Sequence, residues 1–179
     1  FLPTPKSPHG VDVDPTGEYI VGGGKLATVI PVHSYSKFQK AIADKNFEKE
    51  AYGIPVVNYD ATMYCEVQNP GLGPLHNEFD AQGNAYTSVF IESAAAKWSL
   101  KDLKVIEKIP VHYNIGHILA AEGDTVNPDG RYLVAMNKWA LDRFGDVGPL
   151  LPQNFQLIDI AEEKMQLLAD LPIPLGEPH

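Results

Sequence analysis

The sequence contains a single cysteine, Cys65, among its 179 residues. One thiol cannot form an internal disulfide, and it cannot build a zinc site that needs several thiolates. Positive charge is also scarce, because 14 Lys and Arg stand against 23 Asp and Glu, which gives a net charge of -9. Proteins that bind nucleic acids need a basic face to neutralise phosphates. The chain offers none, and we expect no nucleic-acid partner.

Long apolar runs are missing as well. No stretch approaches the roughly 20 apolar residues that span a bilayer, and FLPTPKSPHG at the start lacks the pattern of a signal peptide. We therefore expect no membrane span. The chain opens in the middle of a repeated pattern and stops at GEPH, where the pattern would begin again. We expect an internal part of a longer protein.

The repeated pattern is a histidine followed by a turn and a tyrosine. It reads SPHGVDVDPTGEY at 7–19, GPLHNEFDAQGNAY at 73–86 and NIGHILAAEGDTVNPDGRY at 114–132. The interval between the last two turns matches the roughly 40–50 residues of a propeller blade, whereas the first interval is longer. The segment 34–50 accounts for the excess, because Phe38, Ile42 and Phe47 suit a short inserted amphipathic helix.

Short β-rich runs occupy the rest of each repeat, namely EYIVGGG, ATVIPVHS, NAYTSVFIES, RYLVAMNKW and QLIDI. Two further segments, AAAKWSLKDLKVIEKIPV and FQLIDIAEEKMQLLADLPI, read as strand, polar turn and strand, as in the outer hairpin of a four-stranded blade. The predicted fold is all-β: about three blades of a β-propeller with a short helical insertion, with residues 1–179 in a single domain.

The first strand of each propeller blade lines the central channel, so residues in the same register converge on one axis. This places four histidines together: His9, His76, His117 and His179. Imidazoles without cysteine or a repeated carboxylate favour copper or another late transition metal. His33 and His112 fall outside the register, and we interpret them as structural histidines.

Two alternatives stay open at this stage. The first is a noncatalytic propeller that binds a protein partner and packs its histidines in the channel. The second is a propeller hydrolase with one metal ion, of the lactonase kind, which would add carboxylate or asparagine ligands. No repeated acid stands at matching positions in the sequence, and this disfavours the hydrolase.

Taken in order, SPHGVD, GLGPLH, VHYNIGH, NKWALDRFGDVGPL, QLIDI and GEPH resemble the nitrous oxide reductase family over essentially the whole chain. The long insertion at 34–70 resembles the atypical branch. The resemblance implies a seven-bladed amino-terminal propeller that holds a copper-sulfide cluster of four coppers on histidines. The matching ligands are His9, His76, His117 and His179.

The resemblance also implies roles for other residues. Lys97 and Lys138 match lysines near the cluster, and Asp124 stands where the family commonly has glutamate, so these three are candidate catalytic residues. Lys6 replaces an asparagine that is associated with calcium binding, which leaves that site open.

For the parent protein, the resemblance implies a periplasmic enzyme that reduces N2O to N2 and water in denitrification, an anaerobic respiration. It further implies a homodimer, a carboxy-terminal cupredoxin domain with a two-copper electron-entry centre, and a small donor protein such as a cytochrome c or a cupredoxin. The cupredoxin domain lies outside this sequence, so we expect the 179 residues alone to be inactive.

Overall fold

The computed structural model describes residues 1–137 and 153–173. These residues contain fourteen strands and two short helices. The first half contains β1 (Pro8–Val13), β2 (Tyr19–Gly24), β3 (Val29–Ser34), α1 (Tyr35–Ala43), β4 (Phe47–Ala51), β5 (Ile54–Val57), α2 (Tyr59–Thr62) and β6 (Met63–Gln68). The second contains β7 (Pro74–Phe79), β8 (Asn84–Val89), β9 (Ala94–Ser99), β10 (Lys104–Pro110), β11 (Ile115–Ala120), β12 (Tyr132–Asn137), β13 (Gln153–Asp159) and β14 (Gln166–Ile173).

Twelve of these strands form three four-stranded antiparallel sheets. Blade 1 has the order β1-β2-β3-β6, blade 2 the order β7-β8-β9-β10, and blade 3 the order β11-β12-β13-β14. The first strands of neighbouring blades pack together, β1 on β7 and β7 on β11. This arrangement confirms the predicted partial propeller, with β1, β7 and β11 innermost. A complete ring of seven blades stays a prediction.

The predicted Asp-containing turns close the first hairpins of blades 1 and 2. Asp14 Oδ1 accepts a hydrogen bond from the Tyr19 amide at 2.7 Å, and its Oδ2 accepts from the Thr16 hydroxyl at 2.7 Å. Asp80 Oδ1 accepts from the Asn84 amide at 2.8 Å. An aspartate that bonds amides a few residues ahead fixes such a turn. Each turn is therefore formed by hydrogen bonds between residues close in the sequence, and it sets where the second strand of its blade begins.

The insertion in blade 1 only partly matches the prediction. Helix α1 begins after Ser34, whose hydroxyl accepts from the Lys37 amide at 3.1 Å, but it ends at Ala43. The chain then turns at Lys45, which adopts a φ of 52°, and Phe47 starts the β4–β5 hairpin.

No helix within 1–137 or 153–173 is long and apolar enough to cross a membrane.

Apolar side chains fill the space between neighbouring blades. Val21, Ile30 and Trp98 belong to a buried cluster that joins blades 1 and 2, and Tyr86 and Leu133 belong to a second cluster that joins blades 2 and 3. Burial of this kind stabilises a fold by about 25 cal/mol for each Å² of apolar surface. The two clusters hold the three blades, and with them the three inner strands, in fixed relative positions.

Candidate metal centre

Each inner strand carries a β-bulge at the same place in its blade. In β1 the bulge lies between Pro8 and Val11, where two residues oppose one residue of β2. It contains His9, and the corresponding bulges of β7 and β11 contain His76 and His117. Bulges bend a strand and redirect side chains, and they are common next to functional sites. The repeat is therefore one of backbone geometry as well as of sequence.

The three histidine rings lie next to one another. The ring centroids of His9 and His76 are 4.9 Å apart in an edge-on arrangement, and those of His76 and His117 are 4.7 Å apart. Each side chain is partly exposed. His76 therefore neighbours both of the other rings, and the convergence of all three on one axial cavity stays a prediction. Their binding of a metal stays a prediction.

The register of the histidines differs from the sequence-based alignment by one position. His76 and His117 occupy the second residue of their bulges, whereas His9 occupies the first, so Gly10 is the equivalent of His76. Gly10 has a φ of 73°, and a Cβ there would lie 2.1 Å from the carbonyl oxygen of Leu75. Only glycine allows β1 to approach β7 this closely.

Two carboxylates also occupy equivalent positions on the inner strands, contrary to the expectation that no repeated acid is present. Asp12 pairs with Val21 of β2, and Glu78 pairs with Tyr86 of β8, at the same distance from the bulge. The spacing in the sequence hides this match, because the histidine takes different positions in the two bulges. Sequence comparison anchored on the histidines is therefore misaligned by one residue.

Both carboxyl groups bind protons more tightly than usual. Burial, together with the charge of Asp124, raises the pKa of Glu78 to about 8, although a backbone hydrogen bond at Ala120 opposes this. Burial likewise raises the pKa of Asp12, against the hydrogen bonds that it accepts from Asn77. Asp124 is exposed in the loop after β11, close enough to act on both groups. Its catalytic role stays a prediction.

Lys97 makes its described contacts with blades 2 and 3. It is on β9, the third strand of blade 2, and is only 5% exposed. Its Nζ donates to the carbonyl oxygen of Glu162, in the β13–β14 turn of blade 3, at 3.3 Å, and lies 5.8 Å from the centroid of the Tyr86 ring. These contacts join blades 2 and 3. The place of Lys97 near the cluster, and its catalytic role, stay predictions.

Two of the predicted site residues, Lys138 and His179, lie outside the described residues. Across 1–137 and 153–173, no three or more His, Cys, Asp and Glu residues form a group that could hold a metal ion. The three candidate imidazoles make two contacts, His76 with His9 and His76 with His117. A complete ligand set needs further donors.

The two histidines interpreted as structural have partners of their own. His33 is 1% exposed, and its Nδ1 lies 3.0 Å from Thr62 Oγ1. Burial lowers the pKa of His33 to about 4. His112 Nε2 lies 2.6 Å from Asp170 Oδ2, and its amide donates to Gln156 Oε1 at 2.7 Å. Both histidines contribute to packing between elements, as the interpretation requires.

Comparison with known proteins gives a consistent result. Residues 108–179 match a family model described as the nitrous oxide reductase propeller repeat. The whole chain aligns with the nitrous-oxide reductase of Cupriavidus necator at 40% identity, that of Stutzerimonas stutzeri at 36% and that of Ralstonia nicotianae at 37%. These matches support a nitrous oxide reductase propeller fragment. The chain spans 28% of the length of each of these three relatives.

Solved structures support the fold of this chain. Hydrazine synthase of Kuenenia stuttgartiensis superposes with a TM-score of 0.64 at 14% identity, over 93% of this chain and 37% of that one. A putative 6-phosphogluconolactonase from Bacteroides uniformis gives 0.59 at 18% identity, over 93% of this chain and 41% of that one. At these identities the likeness concerns the fold alone.

Proposed function

We propose that the protein containing this chain is a copper-dependent nitrous oxide reductase, which converts N2O, two electrons and two protons to N2 and one water. The supporting observation is the contact of the His9, His76 and His117 rings, each from a different blade of a chain that aligns throughout with nitrous-oxide reductases. The proposed role of the chain is to supply part of the ligand set of a four-copper sulfide cluster.

The donors present fit copper. Imidazole nitrogen suits copper well, and the described inner strands offer histidines and no thiolate, since Cys65 lies on the outer strand β6. His9, His76 and His117 would hold the metal together with His179 and donors from elsewhere in the protein. When bound, the reduced cluster supplies the electrons and the coordination positions that activate an inert substrate.

The remaining residues of the site have supporting tasks. The bulges and the clusters between the blades keep the three imidazoles at fixed separations, so ligands need not reorganise during turnover. Protons for the product water need a nearby donor, and the resemblance implies Lys97 with Lys138 or Asp124 assisting. Lys97 is a weaker candidate, because its ammonium group already bonds Glu162.

The wider properties belong to the same proposal. The family resemblance supports a periplasmic homodimer in denitrification, with a two-copper centre in a cupredoxin domain that accepts electrons from a cytochrome c or a small cupredoxin. The calcium site of the family stays open, because Lys6 replaces the usual asparagine.

The central test replaces His76 with alanine in the complete polypeptide. Because His76 lies between the other two rings, its loss should break both pairs, and we expect copper content and N2O consumption to fall at least tenfold. His112→Ala is the matched control, since His112 contacts Asp170 on an outer strand. Equal copper content in both variants would contradict the proposal.

A noncatalytic scaffold is the second candidate. The absence of a three-donor metal group within residues 1–137 and 153–173 favours it. The copper content of the wild-type complete polypeptide separates the two functions, because a scaffold would contain no copper after reconstitution and would consume no N2O.

A further inference from the structure

Two consecutive backbone amides at the bulge of β7, those of His76 and Asn77, donate to side chains. The amide of His76 donates to Ser88 Oγ at 3.2 Å. The amide of Asn77 donates to Asp12 Oδ2 at 2.8 Å, and Asn77 Nδ2 donates to the same oxygen at 3.0 Å. Ser88 is on β8 of the same blade, whereas Asp12 is on β1 of the neighbouring blade. The backbone on both sides of this histidine is thus held by side chains.

Asp12 connects the strands that carry two of the three rings. It lies on β1 together with His9, and it bonds the residue that follows His76 on β7. The connection continues into blade 2, where the Thr87 hydroxyl donates to Asn77 Oδ1 at 2.6 Å. Trp98 Nε1 in turn donates to the Thr87 hydroxyl at 2.8 Å. A buried network whose members all have partners is rigid and specific.

We propose that Asp12 and Ser88 are positioning residues for the inner-strand histidines: Ser88 sets the orientation of His76, and Asp12 sets the separation of the His9 and His76 rings. The inference rests on the proposed function, because it assigns these residues to the same copper site. Ser88 has no counterpart in the other blades, where Gly23 and Met136 stand opposite the bulge. Of the three bulges, the central one therefore carries this additional support.

The experiment measures amide hydrogen-exchange rates and the spectra of bound copper in the complete polypeptide. Hydrogen bonds of this kind are worth enough that their loss should speed amide exchange roughly tenfold. We expect Ser88→Ala to show this at His76 and Asp12→Ala to show it at Asn77, in peptides that cover 74–79. Both variants should also change the absorption and electron paramagnetic resonance spectra of the copper-loaded protein. Asp12→Asn keeps an acceptor oxygen and should restore both readouts.

Asp14→Ala is the control for a purely structural effect. Asp14 accepts several hydrogen bonds in the β1–β2 turn but none from β7, so its loss should lower stability without changing exchange at 74–79 or the copper spectra. The inference is overturned if Ser88→Ala and Asp12→Ala behave as wild type, or if Asp14→Ala changes the spectra equally. Wild-type protein that takes up no copper would instead overturn the proposed function, while amide exchange would still test the positioning role.

Discussion

At the scale of single residues, His33 should make stability depend on pH. Its pKa is about 4 in the folded chain because of burial, against about 6.5 when unfolded. Between these values the unfolded state binds a proton that the folded state does not, so stability falls as the pH falls. We expect His33 to contribute a loss of about 2 kcal/mol between pH 7 and pH 5. Glu78, with its pKa of about 8, contributes in the opposite direction over the same range. The His33 contribution is therefore measured as the difference between wild type and His33→Leu in denaturant unfolding of the complete polypeptide.

The matched variants distinguish this histidine from the others. His33→Leu should remove the His33 contribution, because no titrating group remains at this buried position. His112→Gln changes a partly exposed side chain and should show the same change in stability between pH 7 and pH 5 as wild type. The prediction is contradicted if His33→Leu and wild type also change by the same amount.

At the scale of elements, the close approach of β1 and β7 depends on Gly10. Gly10→Ala should cost both backbone strain and a steric clash with the Leu75 carbonyl, whereas Gly17→Ala should cost strain alone, because Gly17 has a similar φ of 76° and nothing within 4 Å of the added Cβ. We expect Gly10→Ala to be more destabilising than Gly17→Ala by roughly 2 kcal/mol or more, as measured by denaturant unfolding. Equal losses would mean that the two strands can separate at little cost.

The contact of β9 with the β13–β14 turn gives a further prediction, for Lys97. Lys97→Met keeps the aliphatic stem and removes the bond to Glu162, so we expect a loss of about 1 kcal/mol in stability. Turnover per bound copper should be unchanged, because the ammonium group lies on the third strand. A fall in turnover at full copper content would return Lys97 to the catalytic group that the resemblance implies.

At the scale of the whole molecule, two apolar faces are uncovered. Asp12 of β1 faces blade 2, so its neighbours Val11 and Val13 point to the opposite side, where both are exposed. Leu119 of β11 and Leu171 of β14 are likewise exposed on blade 3. We expect the 179-residue chain, expressed alone, to self-associate at micromolar concentration and more strongly in high salt, which screens its net charge of -9. Light scattering after gel filtration measures this, and a monomer at all salt concentrations would contradict it.

Local chemistry explains what the sequence could predict. Asp14 and Asp80 build their turns from bonds to residues nearby in the chain, so the blade pattern could be predicted from residue order. The bulges, the equivalence of Asp12 and Glu78, and the position of Lys97 depend on contacts between strands and blades. Only the first part of the helix predicted within 34–50 is present. Spacing alone cannot show that Lys45 reverses the chain before Phe47.

The three rings come from three consecutive blades, and this fixes the order in which they can meet during synthesis. During synthesis blade 1 leaves the ribosome first, and its His9 has no neighbouring imidazole until blade 2 has folded against it. Since His76 and His117 meet only after blade 3 docks, an unfinished chain presents isolated imidazoles with low metal affinity. On the proposed function, copper loading therefore follows folding, and a delivery system for copper has to recognise a folded acceptor rather than a nascent peptide.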